Sequence, residues 1–258
     1  MELNRDYESA AIYKWRKKRK KAFVLFICIV GICFLVTRMV RVEDKTTVKV
    51  HNMHTEQNEK AIRYVASNMI KEDPKIAITF DDGPSPVWTP QLLDGLKERN
   101  VKATFFLIGA NTEQEESKKI VKRMYEEGHL IGNHTYTHCN LSKLETGEAK
   151  KELEQTDTVI EKITGKQPVF VRAPYGELPV DSEQDLNRIY IGWTVDPLDW
   201  MTEDTGAVVK TVVEEINPGD VILLHDCYPS SVQAAIRIVD LLQGKGYEFV
   251  TVDHLIMD

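Results

Sequence analysis

From Lys75 onward, short apolar runs alternate with longer amphipathic ones, and this alternation restricts the fold more than any other feature of the chain. The apolar runs are Ile76–Phe80, Ala103–Ile108, Leu130–Gly132, Val169–Arg172, Tyr190–Thr194, Val221–Leu224 and Phe249–Val252. Their length and their content of Val, Ile and aromatic residues predict strands. Between them lie Thr89–Arg99, Glu113–Glu127, Glu145–Thr164, Thr205–Ile216 and Ser231–Gln243, whose apolar residues recur at helical spacing. Strands separated by helices predict an α/β fold with a mainly parallel sheet, open or closed into a (β/α) barrel.

The region before Lys75 has a different character. Residues 1–21 carry eight basic and three acidic residues and read as a cytoplasmic basic tail. The uncharged, proline-free run AFVLFICIVGICFLVT follows, and Met39 and Val40 extend it. Lys21 and Arg38 can snorkel at its two ends, so residues 22–40 are expected to form a transmembrane signal-anchor. Basic residues before the span predict a cytoplasmic N-terminus, with the rest of the chain outside the cell membrane. A cleaved signal peptide, and hence secretion, is the alternative. No small-x-small cleavage site follows Val36, which favours the anchor. Residues 41–73 read as a stalk or linker, with helical spacing over 56–70, and 74–258 as the catalytic domain.

Charge is distributed unequally between these parts. From Val42 onward the chain has 23 basic against 37 acidic residues. An acidic outer domain argues against nucleic acid as partner, because phosphate binding needs a basic face. Four cysteines are too few for a disulfide scaffold. Cys139 and Cys227 each lie near a strand end, so a pair between them is open, with two free thiols favoured.

Polar residues cluster where the predicted strands end, which is the edge that carries active sites in parallel α/β folds. Asp81 and Asp82 follow the first strand in Thr79-Phe80-Asp81-Asp82-Gly83-Pro84. A turn would explain Gly and Pro but not two adjacent, mutually repelling carboxylates. A cation would relieve that repulsion, leaving one carboxylate as a base. His134 and His138 are four residues apart, close enough to share a metal, and with Asp82 they form a three-ligand set. Such a set suits Zn²⁺, with Co²⁺ or another divalent ion as alternatives. Arg172 closes another strand and needs an anionic partner, for which Asp81 is a candidate. Asp196 could pair with Arg172, Trp200 could line a sugar pocket, and Trp193 reads as core. His225 closes the strand Val221–Leu224 and is a candidate general acid, oriented by Asp226 or another carboxylate.

Taken in order, TFDDGP, HTYTH, RAPYG, DPLDW and LLHD resemble the five motifs of the polysaccharide deacetylase family, the NodB homology domain or carbohydrate esterase family 4. The resemblance covers about Lys75 to Val252. It implies a distorted (β/α) barrel with fewer than eight regular repeats. It implies Asp82, His134 and His138 as metal ligands, Asp81 as catalytic base and Arg172, itself held by Asp196, as its orienting partner. It also implies an oxyanion contact from the Tyr175 N–H, an acetyl-methyl pocket shaped by Trp200 and Leu223, and His225 as acid. Ala173 stands where the family often has Pro.

The function expected from the resemblance and the anchor is removal of N-acetyl groups from a cell-envelope polysaccharide, with N-acetylglucosamine of peptidoglycan favoured. Chitooligosaccharides and O-acetylated xylan-like polymers are the alternatives. A glycan-binding scaffold without activity is the non-enzyme alternative, but every catalytic position is filled.

Overall fold

The computed structural model describes residues 74–179 and 187–257. The expected basic tail, signal-anchor and stalk lie outside the described residues. Among the described residues no helix is long and apolar enough to cross a membrane.

Chain order is β1 (Lys75–Asp81), α1 (Trp88–Glu98), β2 (Thr104–Leu107), α2 (Glu115–Glu126), β3 (Leu130–Asn133), α3 (Thr146–Thr164), β4 (Phe170–Val171), β5 (Ile189–Tyr190), α4 (Thr205–Glu215), β6 (Val221–His225), α5 (Pro229–Gly244), β7 (Glu248–Phe249) and α6 (Val252–Met257). Every pairing is parallel, in the order β5-β4-β3-β2-β1-β6, and β7 pairs with the start of β1. Beyond β5, Val195 bridges Ile222 of β6. One segment therefore touches both edges of the sheet, which curls into an incomplete barrel.

Strand β1 shows how sequence sets the two faces. Side chains alternate along a strand. Ile76, Ile78 and Phe80 belong to the large core between sheet and helices. Ala77 faces the other way, into a smaller cluster with Phe106, Phe170, Val221 and Val252. Thr79 and Asp81 continue that inward row, so a buried polar column rises through the barrel and ends at the carboxylate.

Two predicted strands end early, for visible reasons. The run Tyr190–Thr194 leaves its ladder with β4 after Tyr190, where Arg172 takes the carbonyls of Ile191 and Gly192, and Thr194 donates its N–H to Val221 instead. The run Phe249–Val252 stops at Phe249. Val252 begins a helix, and its N–H is taken by the Thr104 hydroxyl.

His129, in the turn before β3, is a buried neutral imidazole. Its Nδ1 accepts the Ala103 N–H at 3.1 Å, and its ring meets Phe105 edge-on. Burial pushes its pKa down to about 4. The unfolded chain therefore binds the proton first, and stability falls as pH drops below the ordinary value of 6.5. The whole contribution, about 3 kcal/mol at 1.4 kcal/mol per unit, should be lost by about pH 4. Urea unfolding at pH 7 and pH 4.5 checks this: His129→Gln should lose less stability over that interval than the parent protein. Equal losses would contradict it.

Candidate active site

Strand β1 ends in a turn that separates its two carboxylates. Asp81 stays in the strand, in register with His225 of β6 and Phe106 of β2. Asp82 adopts φ 70°, which swings its side chain away from that of Asp81. The turn is fixed from two directions: Asn111 Nδ2 donates to the Asp82 carbonyl at 2.9 Å, and the Ile108 N–H donates to the Gly83 carbonyl at 3.2 Å. Gly83 is required by packing, since a Cβ there would lie 2.5 Å from both carboxylate oxygens of Asp226.

His134 continues β3 as its N–H bonds the Leu107 carbonyl. The chain then folds back through Thr135 at φ 64° and reaches His138 at φ 59°. Asn133 braces the start of this loop: its Oδ1 accepts the Thr135 N–H at 2.8 Å, and its Nδ2 donates to Asp157 and to the Leu153 carbonyl of α3. The two imidazoles meet at Asp82. Its Oδ1 lies 3.3 Å from His134 Nε2 and 3.2 Å from His138 Nε2.

Arg172 is completely buried beneath this layer. Its Nη1 donates to Asp81 Oδ1 at 2.8 Å and to the Thr79 hydroxyl at 2.6 Å. The guanidinium lies over the Phe106 ring at 4.2 Å, and the Trp193 ring is 5.8 Å away. Burial works against the guanidinium charge, and Asp81 is the principal group opposing that cost. The expected contact from Asp196 to Arg172 is not formed. Asp196 Oδ1 instead accepts the Leu198 N–H at 2.9 Å, a local turn of a kind short carboxylates favour. Asp196 reaches Arg172 only through its charge.

The carboxylate that orients His225 is Asp199, not Asp226. Asp199 is buried and bonds His225 twice, through the ring Nδ1 and the backbone N–H, both at 2.8 Å. The His225 Nε2 then points toward Asp82, 3.9 Å from its Oδ2. Burial lowers the His225 pKa, but the Asp199 hydrogen bond and charge, with Asp81 and Asp82, raise it to about 9. Asp226 lies behind Gly83, where Thr89 donates to its Oδ2 at 2.6 Å. Burial there raises its pKa to about 7. Asp199 lies within the DPLDW segment, yet nothing in the sequence says which of its two aspartates turns inward.

The remaining expected residues surround this centre. Leu223 is buried two residues before His225, on the same face of β6. Tyr175, at φ 63°, is exposed and sets its ring edge-on to His138 at 4.9 Å. Trp200 is half-exposed beside Asp199. Tyr228 is half-exposed near His225. Cys139 and Cys227 are free thiols.

The donor set fits a divalent cation. Asp82, His134 and His138 each offer one atom within 4.8 Å of the others. The Arg172 carbonyl lies 2.7 Å from His134 Nδ1, which must be the protonated nitrogen, because a carbonyl only accepts. His134 Nε2 therefore turns a lone pair toward Asp82 Oδ1, a buried oxygen that has no hydrogen-bond donor. Acceptors facing each other at this distance repel unless a positive charge lies between them. Neutral imidazoles with an ionised carboxylate are the form that ligates Zn²⁺ and related ions. Asp81 Oδ2 lies 3.8 Å from His134 Nε2, beside the triad rather than within it.

Comparison with known proteins adds independent information. The polysaccharide deacetylase family model matches residues 68–191. A peptidoglycan-N-acetylglucosamine deacetylase of Bacillus cereus is 40% identical over 188 residues, covering 70% of this chain and 68% of that protein. The peptidoglycan-N-acetylmuramic acid deacetylase PdaC of Bacillus subtilis is 39% identical over 180 residues, 70% of this chain but 38% of PdaC, so the chain spans well under half of that relative. Among solved structures, a family 4 acetyl xylan esterase from Clostridium thermocellum, in complex with a cobalt ion, superposes with a TM-score of 0.67. It is 32% identical, and the match covers 71% of this chain and 90% of that one.

Proposed function

The chain belongs to the polysaccharide deacetylase family, and from that premise we propose that it is a metal-dependent hydrolase removing N-acetyl groups from cell-envelope polysaccharide, with N-acetylglucosamine residues of peptidoglycan as the favoured substrate. The observation that carries this reading is the convergence of three ligand atoms beside an unligated, Arg-held carboxylate and a His225 ring held by Asp199.

An amide resists hydrolysis because water is a poor nucleophile, the tetrahedral oxyanion is costly and an amine leaves poorly. Asp82, His134 and His138 would hold a cation that, when bound, would supply Lewis-acid polarisation and acidify water at neutral pH. Zn²⁺ is favoured for that ligand set, with Co²⁺ next. Asp81 presents Oδ2 to the attacking water and takes its proton, while Arg172 holds Oδ1 and so fixes the carboxylate plane. The water oxygen bonds to the acetyl carbon. The Tyr175 N–H is assigned to the developing oxyanion, where a single donor is typically worth about 3–4 kcal/mol. His225, protonated and held by Asp199, gives its Nε2 proton to the nitrogen as the C–N bond breaks. Acetate and a free amine are the products. Leu223 and Trp200 are assigned to the acetyl methyl group.

The rim supports a polymeric substrate. Tyr175, Trp200, Met201 and Tyr228 expose apolar surface around the centre. Exposed aromatic rings offer faces to the C–H surface of sugar rings, and an open rim lets a chain pass across. The expected signal-anchor at residues 22–40 would hold this domain outside the cell membrane, against the peptidoglycan. The Bacillus cereus relative is named for N-acetylglucosamine of peptidoglycan.

Acetate release from peptidoglycan, chitin oligomers and acetylated xylan, before and after chelation, tests this proposal. Peptidoglycan should give the fastest release. Chelator should abolish it, and Zn²⁺ or Co²⁺ should restore it. Sugar binding with no acetate release under added Zn²⁺ would instead favour a glycan-binding scaffold.

A further inference from the structure

The loop that carries His138 is stitched to the body on two sides. On one side the N–H groups of Gly109 and Ala110 donate to the carbonyls of Thr135 and Tyr136, at 2.9 and 3.0 Å. On the other, a single carboxylate receives three of the loop's donors. Glu152 Oε2 accepts the N–H groups of Tyr136 and Thr137 at 3.0 and 2.8 Å, and its Oε1 accepts the Thr137 hydroxyl at 3.1 Å. Two consecutive N–H groups converging on one oxygen fix the peptide planes between them. Thr137 is the residue immediately before His138.

His134 and His138 differ in how they are held. His134 is buried, belongs to the end of a paired strand and bonds the Arg172 carbonyl through Nδ1. His138 is more open, and its ring contacts are with Asp82, His134 and Tyr175. Its place therefore depends on the path of residues 135–137, which passes through positive φ at both Thr135 and His138. Positive φ in residues with a Cβ persists only where neighbouring contacts over-determine it.

We infer that Glu152 is a positioning residue for the metal centre, fixing His138 as a ligand through the loop amides rather than touching the cation or the substrate. The inference rests on the metal-dependent reading given above. Groups that orient metal ligands from outside the coordination sphere typically change affinity about ten- to a hundredfold when removed. Helix α3 is a suitable base for such a clamp, since its inner face is packed and also supplies Asp157 to brace Asn133.

Competition of the full-length protein against a chromophoric chelator for Zn²⁺, with the absorption spectrum of the Co²⁺ form as a geometric readout, tests this inference. Glu152→Ala should bind Zn²⁺ about ten- to a hundredfold more weakly and show an altered Co²⁺ spectrum. Glu152→Asp keeps the charge but cannot reach the loop, so it should lose affinity as well, and it carries the test should the alanine variant not fold. Glu152→Gln keeps an oxygen for the two N–H groups and should stay near the parent value. Glu154→Ala, an exposed change on the same helix, should leave affinity unchanged. Parent-like affinity in both the Ala and Asp variants would overturn the inference. So would normal affinity in the Asp variant with full loss in the Gln variant, which would mean that charge and not position matters. Failure of the parent protein itself to bind Zn²⁺ would strike the functional reading, a result distinguishable from either.

Discussion

Asp81→Asn is expected to bind its cation as the parent protein does while releasing acetate about a hundred- to ten-thousandfold more slowly. The asymmetry follows from the turn at Asp82. Asp81 and Asp82 are adjacent in sequence, yet positive φ at Asp82 sends only the second carboxylate to the two imidazoles. Asp81 instead spends one oxygen on Arg172 and leaves the other beside the triad. Asparagine has nearly the same shape and can still accept from Arg172 through its carbonyl, so the fold and the triad should persist. Its amide cannot take a proton from water, so the base is gone. Acetate release and metal content measured on one sample separate the two roles.

Asp199→Asn should move the alkaline limit of activity downward by two pH units or more. The sign follows from the role of His225. A general acid must be protonated, so the rate falls as pH rises through its pKa, which Asp199 and the neighbouring carboxylates lift to about 9. With asparagine the charge at Nδ1 is lost, while the burial that depresses the imidazolium remains. The group should then deprotonate near or below its ordinary value of 6.5. A pH profile of kcat would show the descending limb shifted to neutral pH, with rates converging in acid. An unchanged limb would remove His225 from the role of acid. Asp196→Asn, at the other aspartate of the segment, should leave that limb close to its place, because Asp196 bonds only the Leu198 N–H.

How much of this was legible in the sequence depends on which force fixes each residue. Hydrophobic periodicity set the strands and helices, because burial of one face is a local pattern. The strand-end polar residues were legible as well, since parallel strands bring their C-terminal ends to one edge. The two aspartates of DPLDW were not. Both are short carboxylates in one irregular segment, and only the backbone path decides that Asp196 closes a turn while Asp199 enters the barrel. Barrel closure through Val195 was equally hidden, since Arg172 ends the regular ladder by taking carbonyls a strand would use. Glu152 lies on a helix with several other acidic residues, and nothing local marks it as the one that faces the histidine loop.

The central claim is that Asp82, His134 and His138 grip one divalent cation while Asp81 stays free to act as base. Equilibrium dialysis against Zn²⁺ combined with acetate release, run in parallel on Asp81→Asn and Asp82→Ala, tests it most directly. The expected result is one equivalent of tightly bound Zn²⁺ with acetate release slowed at least about a hundredfold in the first variant, and loss of both in the second. Tight Zn²⁺ binding by Asp82→Ala, or loss of the ion from Asp81→Asn, would contradict it.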